Sequence, residues 1–304
     1  MKRYGDLTAV DGLDLTVRRG ECFGLLGPNG AGKTTTIEIL EGLMSPDAGS
    51  VEVLGSRWGA DDDALRQRLG IHLQETQFDE RLTVAETLGL FGSFYREGRP
   101  VADVLETVGL ESKAGTWVVH LSGGQRQRLA VGCALVGAPE LLFLDEPTTG
   151  LDPQSRRQLW SVLQRFRAAG GSILLTTHYM DEAQVLCDRV AIVDGGRIIA
   201  EGTPRELIAS LGAAHVIEFD LPAGQDAAPG AQELDARLAA LPGARGVGRD
   251  GDRWQLGAGD LQETLPALLR FAAEAGVALD SVTSHAATLE DVFVSLTGRH
   301  LRDA

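Results

Sequence analysis

The chain has 304 residues, 43% hydrophobic and 23% charged, with a formal net charge of −15 and three cysteines. This length accommodates about two domains with a sizeable core, and the composition excludes a largely disordered chain. The acidic balance argues against an electrostatic nucleic-acid binder, which needs a basic face. No apolar run approaches the ~18–20 residues of a membrane-spanning helix. The best candidate, 129–136, stops at Gly137 and Pro139. The opening MKRYGDLTAV has no apolar core, so it does not read as a secretory signal. Cys22, Cys133 and Cys187 are far apart, sit in apolar contexts and form no CxxC. They read as buried thiols of a reducing compartment, not as zinc ligands or disulfides.

In chain order, short apolar runs alternate with helical patterns up to about Leu211. The runs at 21–27, 140–145, 171–178 and 189–196 predict buried strands of an α/β sheet. The stretches at 83–95, 102–110 and 122–137 have helical spacing. A second unit then reads strand 214–221, helix 231–241, strands 244–249 and 253–257, helix 260–275, strand 277–284 and helix 289–297. The Ala-, Gly- and Pro-rich stretch at 221–232 reads as a loop inside it. RDGDR at 249–253 signals a hairpin, and Thr288 with Asp291 caps the last helix. Strand–helix–strand–strand–helix–strand is the ferredoxin-like order.

GPNGAGKTT at 27–35 matches G-x-x-x-x-G-K-[ST], directly after an apolar strand and before the helical run TTTIEILEGL. In such a loop Gly27, Pro28, Asn29, Gly30, Ala31 and Gly32 turn backbone N–H groups toward phosphate oxygens, and the following helix presents its positive end. Lys33 reaches the β- and γ-phosphates, the Thr34 hydroxyl ligates Mg²⁺, and Thr35 is the last of the expected nucleotide-binding residues of the loop. Lysine is rare in this arginine-rich chain, yet position 33 is Lys; a compact ammonium suits the loop better than a planar guanidinium. LLFLDEP at 141–147 ends an apolar strand in Asp145 and Glu146. At the carboxyl end of a parallel sheet these acids face the ligand crevice. Asp145 is expected to hold Mg²⁺ and Glu146 to act as general base on the attacking water. His178, just after the run at 172–175, is expected at the γ-phosphate. Gln74, in GIHLQE, is a candidate amide for Mg²⁺ or the water.

With these motifs in this order, LSGGQRQRLAVGCAL at 121–135 and TTGLD at 148–152 make the chain resemble the nucleotide-binding subunit of an ABC transporter, over residues 4 to about 212. The resemblance implies a P-loop NTPase fold: an ABC cassette at 1–212 with a RecA-like core and a helical subdomain at about 86–138. A small α+β ferredoxin-like accessory domain at 213–304 follows. It implies that Ser122, Gly123 and Gly124, with Gln125, cap the γ-phosphate from the opposite subunit. A capped helix with a Gly-Gly start accounts for the cap but not for GQRQR. Tyr4 matches the family's adenine-stacking aromatic. Gln74 matches the glutamine that senses nucleotide and touches the membrane partner, and Asp152 the loop that couples the two sites.

QETQFDERLTVAETLGLFGSFY at 74–95 and ATLEDVFVSLTG at 287–298 resemble, more narrowly, ATPases of bacterial drug and antibiotic exporters of the daunorubicin-resistance type. This implies ATP and Mg²⁺ as cofactors, an ATP-dependent homodimer and an integral-membrane permease on a separate chain. It also implies a peripheral place on the cytoplasmic face of the cell membrane and no nucleic-acid partner. The competing expectation is a soluble ABC ATPase not coupled to transport. Such proteins usually carry two cassettes or a long coiled-coil insertion, and this chain has neither pattern. One departure concerns the start: related cassettes open with a strand before the KRYG-like segment, whereas three residues precede Tyr4 here. A ring at a chain end is expected to be poorly held. Either the natural start lies upstream of Met1, or ATP binds weakly.

Overall fold

The computed structural model describes residues 1–73, 76–221, 231–250 and 253–297, without the side chains of 231–233 and 250. Contacts divide the chain into two compact units, Met1–Ile198 and Ile199–Ala304.

In the first unit β1 (Lys2–Tyr4) and β2 (Leu7–Val10) form an antiparallel hairpin. β3 (Cys22–Leu26) leads through the glycine-rich loop into α1 (Lys33–Leu40). α2 (Asp62–Arg66) precedes β4 (Leu69–His72), and α3 (Val84–Gly92), α4 (Val101–Val108) and α5 (Gly123–Leu135) follow. Next come β5 (Leu141–Asp145), α6 (Pro153–Ala168), β6 (Ser172–Thr177), α7 (Met180–Leu186) and β7 (Arg189–Asp194), and the unit ends within β8 (Arg197–Gly202).

Residues that cannot be solvated set the sheet. Every residue of β3, β5 and β6 is buried, as expected for parallel strands covered on both faces. The order is β4-β5-β6-β3-β7-β8, and neighbours from β4 through β7 run parallel. Phe23, Leu25, Ile37, Phe143 and Leu174 form the heart of one core cluster. The loops after β4, β5, β6 and β3 therefore leave the same edge of the sheet side by side, and they carry the segments singled out by sequence. Polar capping sets the helix starts. Thr83 and Glu86 close a capping box on α3, so the run at 83–95 becomes a helix only from Val84 and stops at Gly92. Asp152 caps α6, with Pro153 in its first turn.

In the second unit α8 (Pro204–Ser210) is followed by β9 (His215–Asp220), α9 (Ala231–Ala239), β10 (Ala244–Asp250) and β11 (Arg253–Ala258). α10 (Leu261–Ala275), β12 (Asp280–Ala286) and α11 (Leu289–Thr297) complete it. The sheet order β10-β11-β9-β12, antiparallel throughout, is that of a ferredoxin-like fold. Alternate residues Ile217, Phe219, Trp254 and Leu256 bury one face. The hairpin pairs Asp250 with Arg253. Thr288 Oγ1 accepts from Asp291 N, and Asp291 Oδ2 accepts from Thr288 N, as the cap requires. The last strand starts at Asp280, later than the apolar 277–279, whose Val277 and Leu279 pack on the core instead. α8 belongs to this unit and packs on α11. The contact boundary thus lies upstream of the change in sequence regime at 212/213.

No helix among the described residues is long and apolar enough to cross a membrane. The three cysteines are free and buried, but the fold brings Cys22 and Cys187 to an Sγ–Sγ distance of 4.0 Å.

A candidate nucleotide-binding and hydrolysis site

The loop after β3 is a backbone cradle. A Cβ at Gly27 would collide with the Val193 carbonyl, and one at Gly32 with the Ala9 carbonyl. Gly32 also holds a left-handed φ of 99° just before α1. Lys33 is buried and folds back over the loop, its Nζ donating to Gly27 O at 2.8 Å and Pro28 O at 3.0 Å. Burial pulls its pKa below the ordinary value, and the charges of Glu146 and Asp145 partly oppose that.

Two strands along the sheet, β5 delivers the carboxylates. Asp145 Oδ1 stands 3.5 Å from Thr34 Oγ1, joining the loop helix to the strand. The Thr176 hydroxyl on β6 donates to the same oxygen. Glu146 is 8% exposed, with Oε1 3.6 Å from Lys33 Nζ. Its Oε2 accepts from Thr149 Oγ1 at 3.1 Å. His178 Nδ1 comes within 3.1 Å of the same oxygen, without the alignment of a hydrogen bond. Glu146 holds a left-handed φ of 46°, uncommon for a residue with a Cβ. Its N–H donates to Thr176 O and Oγ1, which clamps the peptide in that state. Thr34, Lys33, Asp145, Glu146 and His178 are therefore one cluster.

Other expected residues gather elsewhere. Ser122 Oγ accepts from Gln125 N, and Gln125 Oε1 accepts from Ser122 N, so the Gln125 side chain closes a capping box. Gly124 needs to be glycine for packing, since a Cβ would collide with Ser155. Gly123 has open space around it, so no packing demand explains its identity. Asp152 accepts from Gln154 N, Ser155 N and Ser155 Oγ. Ser155 first, through its hydroxyl, holds that carboxyl below its ordinary pKa. Ser122 to Gly124 and Asp152 are thus joined through Ser155 into a second cluster. Among the described residues no hydrogen bond links Ser122 to the loop at 27–35. Gln74 lies outside the described residues.

Tyr4 differs from expectation. Its strand pairs with β2, Arg3 N donates to Asp47 Oδ2 at 2.7 Å, and Tyr4 OH donates to Met44 Sδ at 3.0 Å. The expectation of a poorly held ring is corrected: contacts to residues 40 and 44 positions away in sequence fix the segment. The ring is still 47% exposed, available to a flat ligand. Sequence reasoning missed Thr176 and Thr149, which orient the two acids. The polar pair that ends the otherwise apolar β6 was the available signal for Thr176.

The chain matches the ABC transporter family over residues 10–149. It is 44% identical to the Nod factor export ATP-binding protein I of Ralstonia nicotianae, over 99% of this chain and 93% of that one. It is 43% identical to the daunorubicin resistance ATP-binding protein DrrA3 of Streptomyces coeruleorubidus, over 100% of this chain and 96% of that protein. A solved ATP-binding subunit of an ABC transporter superposes with a TM-score of 0.63 at 31% identity, covering 69% of this chain and 90% of that one. The dimeric post-hydrolysis structure of the ATP-binding cassette MJ0796, with ADP and Pi bound, gives 0.59 at 25% identity, over 66% and 94%.

Proposed function

This chain belongs to the ATP-binding subunits of ABC transporters, and from that premise we propose that it hydrolyses ATP to drive export through a separate membrane permease. Full-length likeness to a Nod factor export protein and a daunorubicin resistance protein supports export as the direction. The cargo class is drugs, antibiotics or similar amphiphiles, and the subunit docks on the cytoplasmic face of the membrane. Residues 1–212 form the ATP-binding domain, with its helical subdomain at about 86–138, and 213–304 the accessory domain.

One observation carries the chemistry: the Glu146 carboxylate is held among Lys33, Thr149 and His178 beside the phosphate loop. Glu146 takes the proton of the attacking water, and His178 orients the γ-phosphate and that carboxylate. Phosphate oxygens compete for Lys33 Nζ with the carbonyls of Gly27 and Pro28, and an anionic acceptor is the stronger partner. Tyr4 stacks on the base. Thr34 and Asp145 present a hydroxyl and a carboxylate oxygen 3.5 Å apart, a hard donor set that suits Mg²⁺. With Gln74 they would hold the ion, which neutralises charge on the phosphates. Ser122, Gly123 and Gly124, with Gln125 and Asp152 behind them, close the site from a second copy.

Glu146→Gln tests this reading. It keeps the side chain's shape but removes the base, so turnover should fall by about 10²–10⁴-fold while ATP binding persists. Size exclusion with Mg-ATP should then show a trapped dimer. A variant that stays monomeric and hydrolyses normally would sink the assignment.

A further inference from the structure

Gln127 lies in the first turns of α5, and its side-chain amide nitrogen carries two hydrogens. That nitrogen is 2.7 Å from Pro147 O and 2.9 Å from His72 Nε2. Both hydrogens are used only when His72 accepts, which requires a neutral ring protonated at Nδ1. His72 is 1% exposed, so its ring faces the amide away from solvent. Flipping the amide would set its oxygen against the Pro147 carbonyl, so the amide has a single workable orientation, one that leaves the buried His72 Nδ1 without a partner.

Three segments meet at this amide. α5 begins at the Ser122 cap and carries Gly123. His72 ends β4, the strand that leads to Gln74 two positions on. Pro147 follows Glu146, and a proline offers no N–H, so its carbonyl is the one backbone group available to pin it. Glu146 needs pinning. Its left-handed backbone persists only where the surroundings over-determine it. Thr176 holds the peptide before Glu146, and Gln127 holds the carbonyl beyond it.

We propose that Gln127 is a positioning residue for hydrolysis: by tying the Pro147 carbonyl to α5 and β4, its amide fixes where the Glu146 carboxylate stands. The inference rests on the reading of Glu146 as the base. Loss of the amide lets residues 146–147 relax toward ordinary backbone angles, which moves the carboxylate away from Lys33 and His178.

The test uses the full chain. Gln127→Leu removes both donors at similar volume. Its kcat should fall by about 10- to 100-fold, the scale of an ångström-size misplacement. The affinity for ATP, measured without turnover, should change by less than about threefold, because the loop at 27–35 is untouched. Gln127→Glu keeps the shape but, ionised at about pH 8, cannot donate to Pro147 O, and it carries the same expectation should the leucine variant fail to fold. Added to Glu146→Gln, either change should cost little further residual turnover, since its target is already gone. Normal turnover in both Gln127 variants beside an inactive Glu146→Gln would overturn this inference alone. So would an undiminished loss in the Glu146→Gln background. Normal turnover in Glu146→Gln itself would overturn the reading of the base, and this inference with it.

Discussion

Glu41 closes the C-terminal end of α1 at 2% exposure, and neither carboxylate oxygen has a hydrogen-bond partner. It follows Thr34 by seven positions, so the two share a helix face. Burial first, then the charges of Asp145 and Glu38, push its pKa from 4.5 up to about 8. The folded chain therefore holds a proton on Glu41 across a range where the unfolded chain has released it. Stability should then fall as pH rises from about 4.5 to about 8, and level off above. Glu41→Gln removes this linkage without adding a charge. The variant should match the native chain near pH 4.5 and exceed it by a few kcal/mol above pH 8. Denaturant unfolding at a series of pH values measures the gap, and parallel curves for the two chains would contradict the assignment.

At the scale of elements, the N-terminal hairpin stands where it does because of one distant carboxylate. Asp47 accepts from Arg3 N and pairs with Lys2 Nζ at 3.0 Å, while Met1 O accepts from Asp47 N. Tyr4→Ala should weaken ATP binding by roughly 1–3 kcal/mol, the usual worth of a base on an aromatic. Asp47→Ala should weaken it less, by loosening the ring rather than removing it. The double variant should be no worse than Tyr4→Ala alone, as calorimetric titration with ATP can decide; additive losses would mean that Asp47 does not act through Tyr4. None of this tether was legible in the sequence, because it joins residues some 44 positions apart. Strands β3, β5 and β6 were legible to within a residue at each end, since burial on both faces leaves continuous apolar runs. α6 was not, because only Leu159, Val162 and Leu163 of its 16 residues are buried. β8 alternates exposed and half-buried residues and left an equally faint signal. The loop at 27–35 and the acids after β5 were readable because phosphate chemistry restricts residue types. The left-handed turn at Glu146 was not, because glutamate carries no propensity for it.

For the whole molecule, the two clusters pose a question of assembly. The loop, Asp145, Glu146 and His178 form one, and Ser122 to Gly124 with Asp152 form the other. Ser122 spends its hydroxyl on its own helix, and Gly123 faces open space. A second copy related by a two-fold axis would bring each copy's Gly123 to the other's loop, since an isologous pair exchanges the same two surfaces. Lys33→Ala should then silence a chain through its loop, and Ser122→Arg through its helix start, without either unfolding it. Mixed pairs contain one site that carries both defects and one that carries neither. Random mixing makes about half the dimers mixed, so restored turnover should approach about one quarter of the native rate if the sites fire independently. Coupling between sites would lower that figure without abolishing it. Steady-state hydrolysis of the separate and mixed variants measures it. If mixing restores nothing while both variants remain folded and the Ser122→Arg chain still binds ATP, the loop and the signature do not meet across a dimer.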